Sequence, residues 1–338
     1  MSDKWLVIDA HAEHMPPMAL EKARELNLDP LQFRASDIFL TMKKMGDIEF
    51  LLATMDEAGV DMTVIKQTVW STKGLDMCRA LNDGFADIGR KYPSRFILAG
   101  HIPLPAGPGV MDEIDRCFGE LGLHFITLPT YSPDFTFDSP ELMPIYEKLS
   151  ELGIPVVFHP MITQSDRWDG TGKYEIRSTV MREYEISKCL VEVMCGVLPE
   201  VPDLKVIFPH YGGGMPGLKA RIRAFYQPEG WVVDDPEVNL NGKSPRELEE
   251  TGLAKSFNDL FDKLYLDMAG HGAGDIPMMN AALATLRTDR MLFGTDYPFD
   301  VRVPQDVKQF IDNIKQLDIP DSDKKLILGE SSRALFGV

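Results

Sequence analysis

No run of about 18 apolar residues occurs anywhere in the 338-residue chain, so nothing in it reads as a membrane-spanning helix. Cysteine is sparse. Cys78, Cys117, Cys189 and Cys195 show no paired short spacing, which excludes a zinc knuckle, argues against a disulfide framework and leaves buried free thiols as the expectation. Basic charge is also short: 35 Lys and Arg against 52 Asp and Glu give a formal net charge of −17, an unsuitable balance for binding nucleic acid or an anionic membrane. An anionic substrate would therefore need local arginines or a metal ion to draw it in. No Gly-x-Gly-x-x-Gly follows the first apolar stretch, and Gly212-Gly213-Gly214 lacks the Lys-Ser/Thr pair of a phosphate-binding loop. The chain opens without a cationic region, apolar stretch and small-residue cleavage site, and a cytoplasmic location is the expectation.

What is present is a regular alternation. Hydrophobic residues make up 44% of the chain, enough for one large domain with a buried core, expected to span 1–338. Short apolar, β-branched stretches predict strands at 6–10, 62–66, 96–100, 124–128, 155–158, 205–209, 263–267 and 290–294. Helical periodicity fills the intervals at 47–58, 76–91, 109–121, 140–152, 183–198, 217–226, 277–286 and 304–316, several opening on Pro or Asp and closing on Gly. Eight strands apolar on both faces, each followed by a helix, predict a parallel sheet closed into a (β/α)8 TIM barrel; an open doubly wound sheet is the alternative. Segments 15–46, 161–182 and 227–258 are too long for simple barrel loops and are expected to cover the catalytic mouth.

In such a barrel the chemistry sits at the C-terminal ends of the strands. The first strand brings His11 and Glu13, two residues apart and so expected on the same side; His14, three from His11, is the competing candidate. The fifth strand brings His159, the sixth His210 and the eighth Asp296. Four of these five positions suit a divalent metal, and the fifth suits a general base.

The Asp-x-His-x-Glu start, His159-Pro160, His210-Tyr211-Gly212-Gly213-Gly214-Met215-Pro216, Phe293-Gly294-Thr295-Asp296-Tyr297-Pro298-Phe299 and the closing Ile327-Leu328-Gly329-Glu330-Ser331-Ser332-Arg333 together resemble the amidohydrolase superfamily. The resemblance is to the branch containing aminocarboxymuconate semialdehyde decarboxylase and γ-resorcylate decarboxylase. It implies one divalent ion, zinc first and manganese second, held by His11, Glu13, His159 and Asp296, with His210 as acid/base and Asp296 serving both metal and proton transfer. Strand four, Phe125-Ile126-Thr127-Leu128, offers no Lys or Glu to bridge a second ion. Glu13 departs from the second His that many members carry; two carboxylates should weaken the ion as a Lewis acid and favour a substrate that chelates it directly.

By the same resemblance, Arg221 reaches a neighbouring subunit's site to hold a substrate carboxylate, which makes the protein at least a dimer; a solvated helix face is the competing reading. Arg34 in the first long segment and His271 after strand seven are further substrate-binding candidates. His101 reads as packed or supporting, and His124 as structural. Trp70, Met161, Trp168 and Phe299 are placed to line an aromatic-sized pocket, or else to pack. The expected activity is metal-dependent, non-oxidative decarboxylation of an aromatic or unsaturated carboxylic acid bearing a hydroxyl, amino or oxo group. Hydrolysis of a lactone, amide or ester uses the same residues and is the rival; a non-catalytic binding barrel is the third reading.

Overall fold

A computed structural model describes residues 4–28, 43–161, 173–226 and 242–338. Eight strands, β1 (Ile8–Glu13), β2 (Met62–Lys66), β3 (Phe96–His101), β4 (Phe125–Pro129), β5 (Val156–His159), β6 (Val206–Phe208), β7 (Tyr265–Asp267) and β8 (Met291–Leu292), pair in parallel in sequence order. Ala10 N donates to Phe293 O at 2.7 Å and Glu13 N to Tyr297 O at 2.8 Å, and a parallel bridge joins Ala12 to Tyr297, so the last strand returns to the first. The fold is the (β/α)8 barrel, not the open sheet. Helices separate every pair of successive strands, the crossover connections that parallel pairing needs.

Both strand faces are apolar because each meets a different core. Ile8, Ala10, Val64, Ile97, Ala99, Phe125, Val157, Ile207 and Leu292 fill the barrel interior, with Leu335 and Phe336 packed among them. Their strand neighbours, among them Val7, Ile65, Leu98, Ile126, Phe158, Phe208 and Leu266, face the helices. Each such side chain contributes about 1.5–3 kcal/mol through burial. The helix Ile48–Ala58 shows how a ring element is delimited. The Asp47 carboxylate accepts from Phe50 N at 3.0 Å, Gly59 closes the helix in the left-handed region, and Leu51, Leu52, Met55 and Ala58 form the buried stripe.

Three differences from the sequence reading matter. β1 does not end at residue 10 but continues through Glu13, with a register irregularity between Asp9 and Ala12: Asp9 pairs with Thr63, whereas Ala12 pairs with Ile65. That inserts one extra residue. Ile8 and Ala10 point into the barrel, so strict alternation would send Ala12 inward and His11 and Glu13 outward; the bulge reverses the faces, Ala12 joins the outer core, and His11 and Glu13 turn in. Second, the long segments carry helices of their own, Pro17–Glu25, Pro245–Glu250 and Leu253–Phe261. Third, the helix expected at 217–226 belongs to a segment, His210–Phe225, whose first five residues are left-handed.

Candidate metal centre and active site

The bulged end of β1 delivers His11 and Glu13 to the centre of the mouth. Gly294 permits the approach, since a Cβ there would stand 3.0 Å from His11 Cβ. Asp9 ties the first strand to the last: its carboxylate accepts from His11 N and Thr295 N, both at 3.0 Å, and from Thr295 Oγ1 at 2.6 Å. Burial lifts the Asp9 pKa to about 6 against those bonds.

His11 Nε2 lies 3.3 Å from both Glu13 Oε1 and Asp296 Oδ1, and His159 Nε2 is in contact with Glu13 Oε1. One donor atom from each of His11, Glu13, His159 and Asp296 falls within 4.8 Å of every other, and all four residues are buried. Glu13 Oε2 and His159 Nδ1 have no hydrogen-bond partner. Two imidazoles and two carboxylates converging in a buried site with unused lone pairs suit a divalent ion such as zinc or manganese. His14 is buried elsewhere. Its Nε2 has no partner, it is absent from the cluster, and burial pulls its pKa down to about 3.

Asp267, at the end of β7, fixes the first ligand. Its Oδ2 meets His11 Nδ1 at 2.7 Å, while Oδ1 accepts from His210 N and Ala269 N, both at 3.0 Å. The bond to Nδ1 leaves His11 Nε2 as the free lone pair facing the cluster, the arrangement in which a carboxylate orients a metal-binding histidine. Burial works to raise the Asp267 pKa, and the His11 ring with the Lys66 ammonium outweighs it, so the carboxyl is held below its ordinary value. For His11 burial pulls down, and the Asp267 and Asp296 carboxylates overcome it, raising the ring well above its usual pKa. Burial dominates at His159 and lowers it to about 4.

His210 stands beside this group on an unusual backbone. His210, Tyr211, Gly212, Gly213 and Gly214 have φ of 53, 52, 70, 71 and 85°, a left-handed turn that non-glycine residues adopt at a cost. Gly213 has no alternative, because a Cβ would lie 2.3 Å from Glu183 O and 2.7 Å from Ser187 N. The glycine run thus lets the sixth-strand histidine dock on the helix Arg182–Glu192. Glu183 Oε1 meets His210 Nδ1 at 2.7 Å; its charge outweighs burial and raises the His210 pKa. His210 Nε2 has no hydrogen-bond partner and lies 3.8 Å from Asp296 Oδ2. Arg182 Nη1 is 3.8 Å from that same oxygen. Burial pushes the Asp296 pKa up, but the His11 hydrogen bond and the charges of His11, His210 and Arg182 hold it well below the carboxylate range.

Lys66, at the end of β2 and in register with Glu13, is fully buried with no partner for Nζ, and burial lowers its pKa. Among the described residues it is the one buried Lys or Arg, an internal cation beside Asp9, Glu13, Asp267 and Asp296. A narrow cleft opens above the cluster, lined by Glu13, His159 and Asp296 together with Gln67, Trp70, Arg182 and Phe299 among others.

The structure therefore gathers His11, Glu13, His159, His210 and Asp296 at one place, with Trp70 and Phe299 on the cavity wall. Arg221 is exposed and is not among the described residues lining the cavity. His271 is 73% exposed and in contact with Asp300, whose carboxyl burial lifts to about 6. Arg34 and Trp168 lie outside the described residues. Met161 is half-buried, away from the described lining. His101 is buried, stacked on Phe85 and accepting from Gln67 N at 3.1 Å, and all three of Cys78, Cys117 and Cys189 are buried thiols. The strand-end rule that located the histidines also applies to Lys66 and Asp267, which sequence reading passed over. Nothing in the local sequence marks Arg182 and Glu183, which reach the site from a helix that begins more than twenty residues after β5.

A family model described as amidohydrolase matches residues 8–338. The 2-amino-3-carboxymuconate-6-semialdehyde decarboxylase of Dictyostelium discoideum is 28% identical over 274 residues, covering 78% of this chain and 67% of that protein. The gamma-resorcylate decarboxylase of Rhizobium sp. (strain MTP-10005) is 24% identical over 318 residues, covering 90% and 89%. In fold, the chain matches the crystal structure of 5-carboxyvanillate decarboxylase from Novosphingobium aromaticivorans DSM 12444, complexed with manganese and 4-hydroxy-3-methoxy-5-nitrobenzoic acid. The TM-score is 0.78 at 18% identity, with 100% of this chain and 97% of that one covered. The match of the family model across nearly the whole chain, on a barrel whose strand ends gather the expected donors, places this protein in the amidohydrolase family.

Proposed function

We propose that the protein is a metal-dependent, non-oxidative decarboxylase of an aromatic or unsaturated carboxylic acid that carries a hydroxyl, amino or oxo group near the carboxylate. The observation that carries this reading is the division of labour at Asp296. Its Oδ1 faces His11 within the donor cluster and its Oδ2 faces His210 Nε2 and Arg182. The names of the relatives agree with it.

His11, Glu13, His159 and Asp296 would hold the ion, and Asp267 would orient His11. A divalent ion in that cluster supplies Lewis acidity toward the carboxylate and its neighbouring oxygen. Two nitrogens and two oxygens suit zinc and manganese alike, and manganese is the first to test because the solved carboxyvanillate decarboxylase carries it. Trp70 and Phe299 wall the space above the cluster in which a ring would lie.

The reaction breaks the bond between carboxyl and ring carbon, leaves the electron pair on that carbon and requires one proton there. The surrounding positive groups favour the ionised form of Asp296, and Glu183 favours the protonated form of His210, so His210 would be the proton source and Asp296 Oδ2, 3.8 Å away, would pass the proton on. Arg221, exposed on the segment His210–Phe225, would act only across a subunit interface, in a dimer or higher assembly. The test is release of carbon dioxide from a panel of hydroxybenzoates and related unsaturated acids by manganese- or zinc-loaded protein. Uptake of labelled water oxygen into product without carbon dioxide would assign the site to hydrolysis.

A further inference from the structure

Arg182 begins the helix Arg182–Glu192 and supplies the one guanidinium or ammonium among the described residues lining the cavity. Its side chain is 16% exposed. It makes no hydrogen bond to a described residue, and the carboxylate oxygen it faces, Asp296 Oδ2, stands 3.8 Å away. Leaving such donors unused in a partly dehydrated site is unfavourable, and a bound anion removes that cost. The buried, unpartnered His210 Nε2 lies the same 3.8 Å from the same oxygen. Around Asp296 Oδ2, then, two donor-bearing side chains have hydrogen-bonding capacity that no described residue uses. When Glu13 and Asp296 share their charge with a bound divalent ion, the guanidinium becomes the surplus positive charge of the cavity.

The chemistry decides which part of the substrate it meets. As carbon dioxide departs, the scissile carboxylate loses its charge, so a guanidinium clamped on it would stabilise the ground state more than the transition state and slow the reaction. A phenolate oxygen or a second carboxylate keeps its charge, and a conjugated oxygen gains charge, as the bond breaks. We propose that Arg182 binds an anionic oxygen that remains on the product, and that it thereby selects acids carrying a further acidic oxygen function beyond the carboxylate that is lost and the hydroxyl adjacent to it. The planar fork of a guanidinium suits either source of that oxygen. This inference rests on the decarboxylase reading of the site.

The test uses metal-loaded wild type, Arg182→Met and Arg182→Lys with three matched aromatic acids. All three carry the scissile carboxylate and an adjacent hydroxyl; one has nothing more, one an additional phenolic hydroxyl, one an additional carboxylate. Arg182→Met is expected to lower kcat/KM about 100-fold more for acids with the added function that the enzyme uses than for the plain acid, whose own loss reports the Arg182 charge beside Asp296. Arg182→Lys is expected to recover part of the loss. Which arm responds identifies phenolate or carboxylate. An equal effect on all three acids, or none, overturns the proposal. Calorimetric binding of the decarboxylated product, which retains the added oxygen, needs no turnover and is expected to weaken at least about tenfold in Arg182→Met. If no acid releases carbon dioxide but this binding still depends on Arg182, the decarboxylase reading fails and the anion site stands. If carbon dioxide is released and binding is indifferent to Arg182, the anion site fails alone. Metal content and thermal midpoint equal to wild type qualify the Met variant; if they differ, Arg182→Gln replaces it.

Discussion

Replacing Asp267 with Asn should damage metal binding more than replacing it with Ala, although Asn is the smaller change. Asp267 uses Oδ1 for the backbone N–H groups of His210 and Ala269, at 3.0 Å each, and Oδ2 for His11 Nδ1 at 2.7 Å. An Asn keeps its carbonyl oxygen on the two backbone donors, so its NH2 takes the place of Oδ2 and donates to Nδ1. The His11 proton must then sit on Nε2, the nitrogen that faces Glu13 and Asp296 at 3.3 Å and would hold the ion. A protonated Nε2 has no lone pair to give. Loss of such an orienting partner ordinarily weakens metal binding about 10–100-fold, or roughly 1.4–2.7 kcal/mol. The enforced tautomer places Asn at or beyond the upper end and Ala, which lets His11 choose its tautomer, near the lower. Stability should run the other way, because Ala leaves two buried backbone donors without an acceptor and Asn does not. Titration with manganese in a metal buffer, with thermal melts of the metal-free variants, measures both. Equal affinities for Asn and Ala, or an Asn variant that binds as wild type does, would refute the tautomer argument.

Three further outcomes follow from the geometry. Glu13→Gln should lower bound metal at a fixed free concentration about tenfold or more, while His14→Gln should retain it, because the His14 ring lies outside the donor cluster; elemental analysis after dialysis distinguishes them. Gly213→Ala places a methyl group against Glu183 O and Ser187 N at φ 71°, so a loss of about 2–5 kcal/mol is expected in urea unfolding, with the His210–Glu183 contact broken in any protein that folds. His101, which burial holds neutral down to about pH 3, takes up a proton only on unfolding; its contribution is intact above the ordinary histidine pKa and falls by about 1.4 kcal/mol per unit as pH drops from 6.5 toward 3. The slope of unfolding free energy against pH should be shallower by that amount in His101→Gln.

Strand and helix periodicity, which depends only on which face of each element is buried, was sufficient to recover the barrel. The same logic found His159, His210 and Asp296, because each lies at or shortly after the end of an apolar strand. It did not reveal why His11 and Glu13 face inward. An uninterrupted strand pointing Ile8 and Ala10 into the barrel would send both outward, and the bulge that corrects this leaves no mark in residues 9–12. Lys66 and Asp267 stood at strand ends and were legible in principle. A lysine in an acidic chain and an aspartate before Met268 carry no local signal of their role, which depends on neighbours fifty and more residues away. Arg182 and Glu183 were expected at a loop's end and a helix's start, and only the packing of that helix against the left-handed glycine turn brings them to His210 and Asp296.

The central claim is that this site replaces a carboxylate with a proton. The most direct measurement is the reaction of metal-loaded protein with an ortho-hydroxylated aromatic acid in deuterium oxide, following carbon dioxide and the deuterium content of the product together. The expected result is one carbon dioxide released per product molecule and one deuterium at the carbon that carried the carboxylate, both abolished by Asp296→Asn. Product that carries solvent oxygen, no deuterium on carbon and no accompanying carbon dioxide would contradict the account.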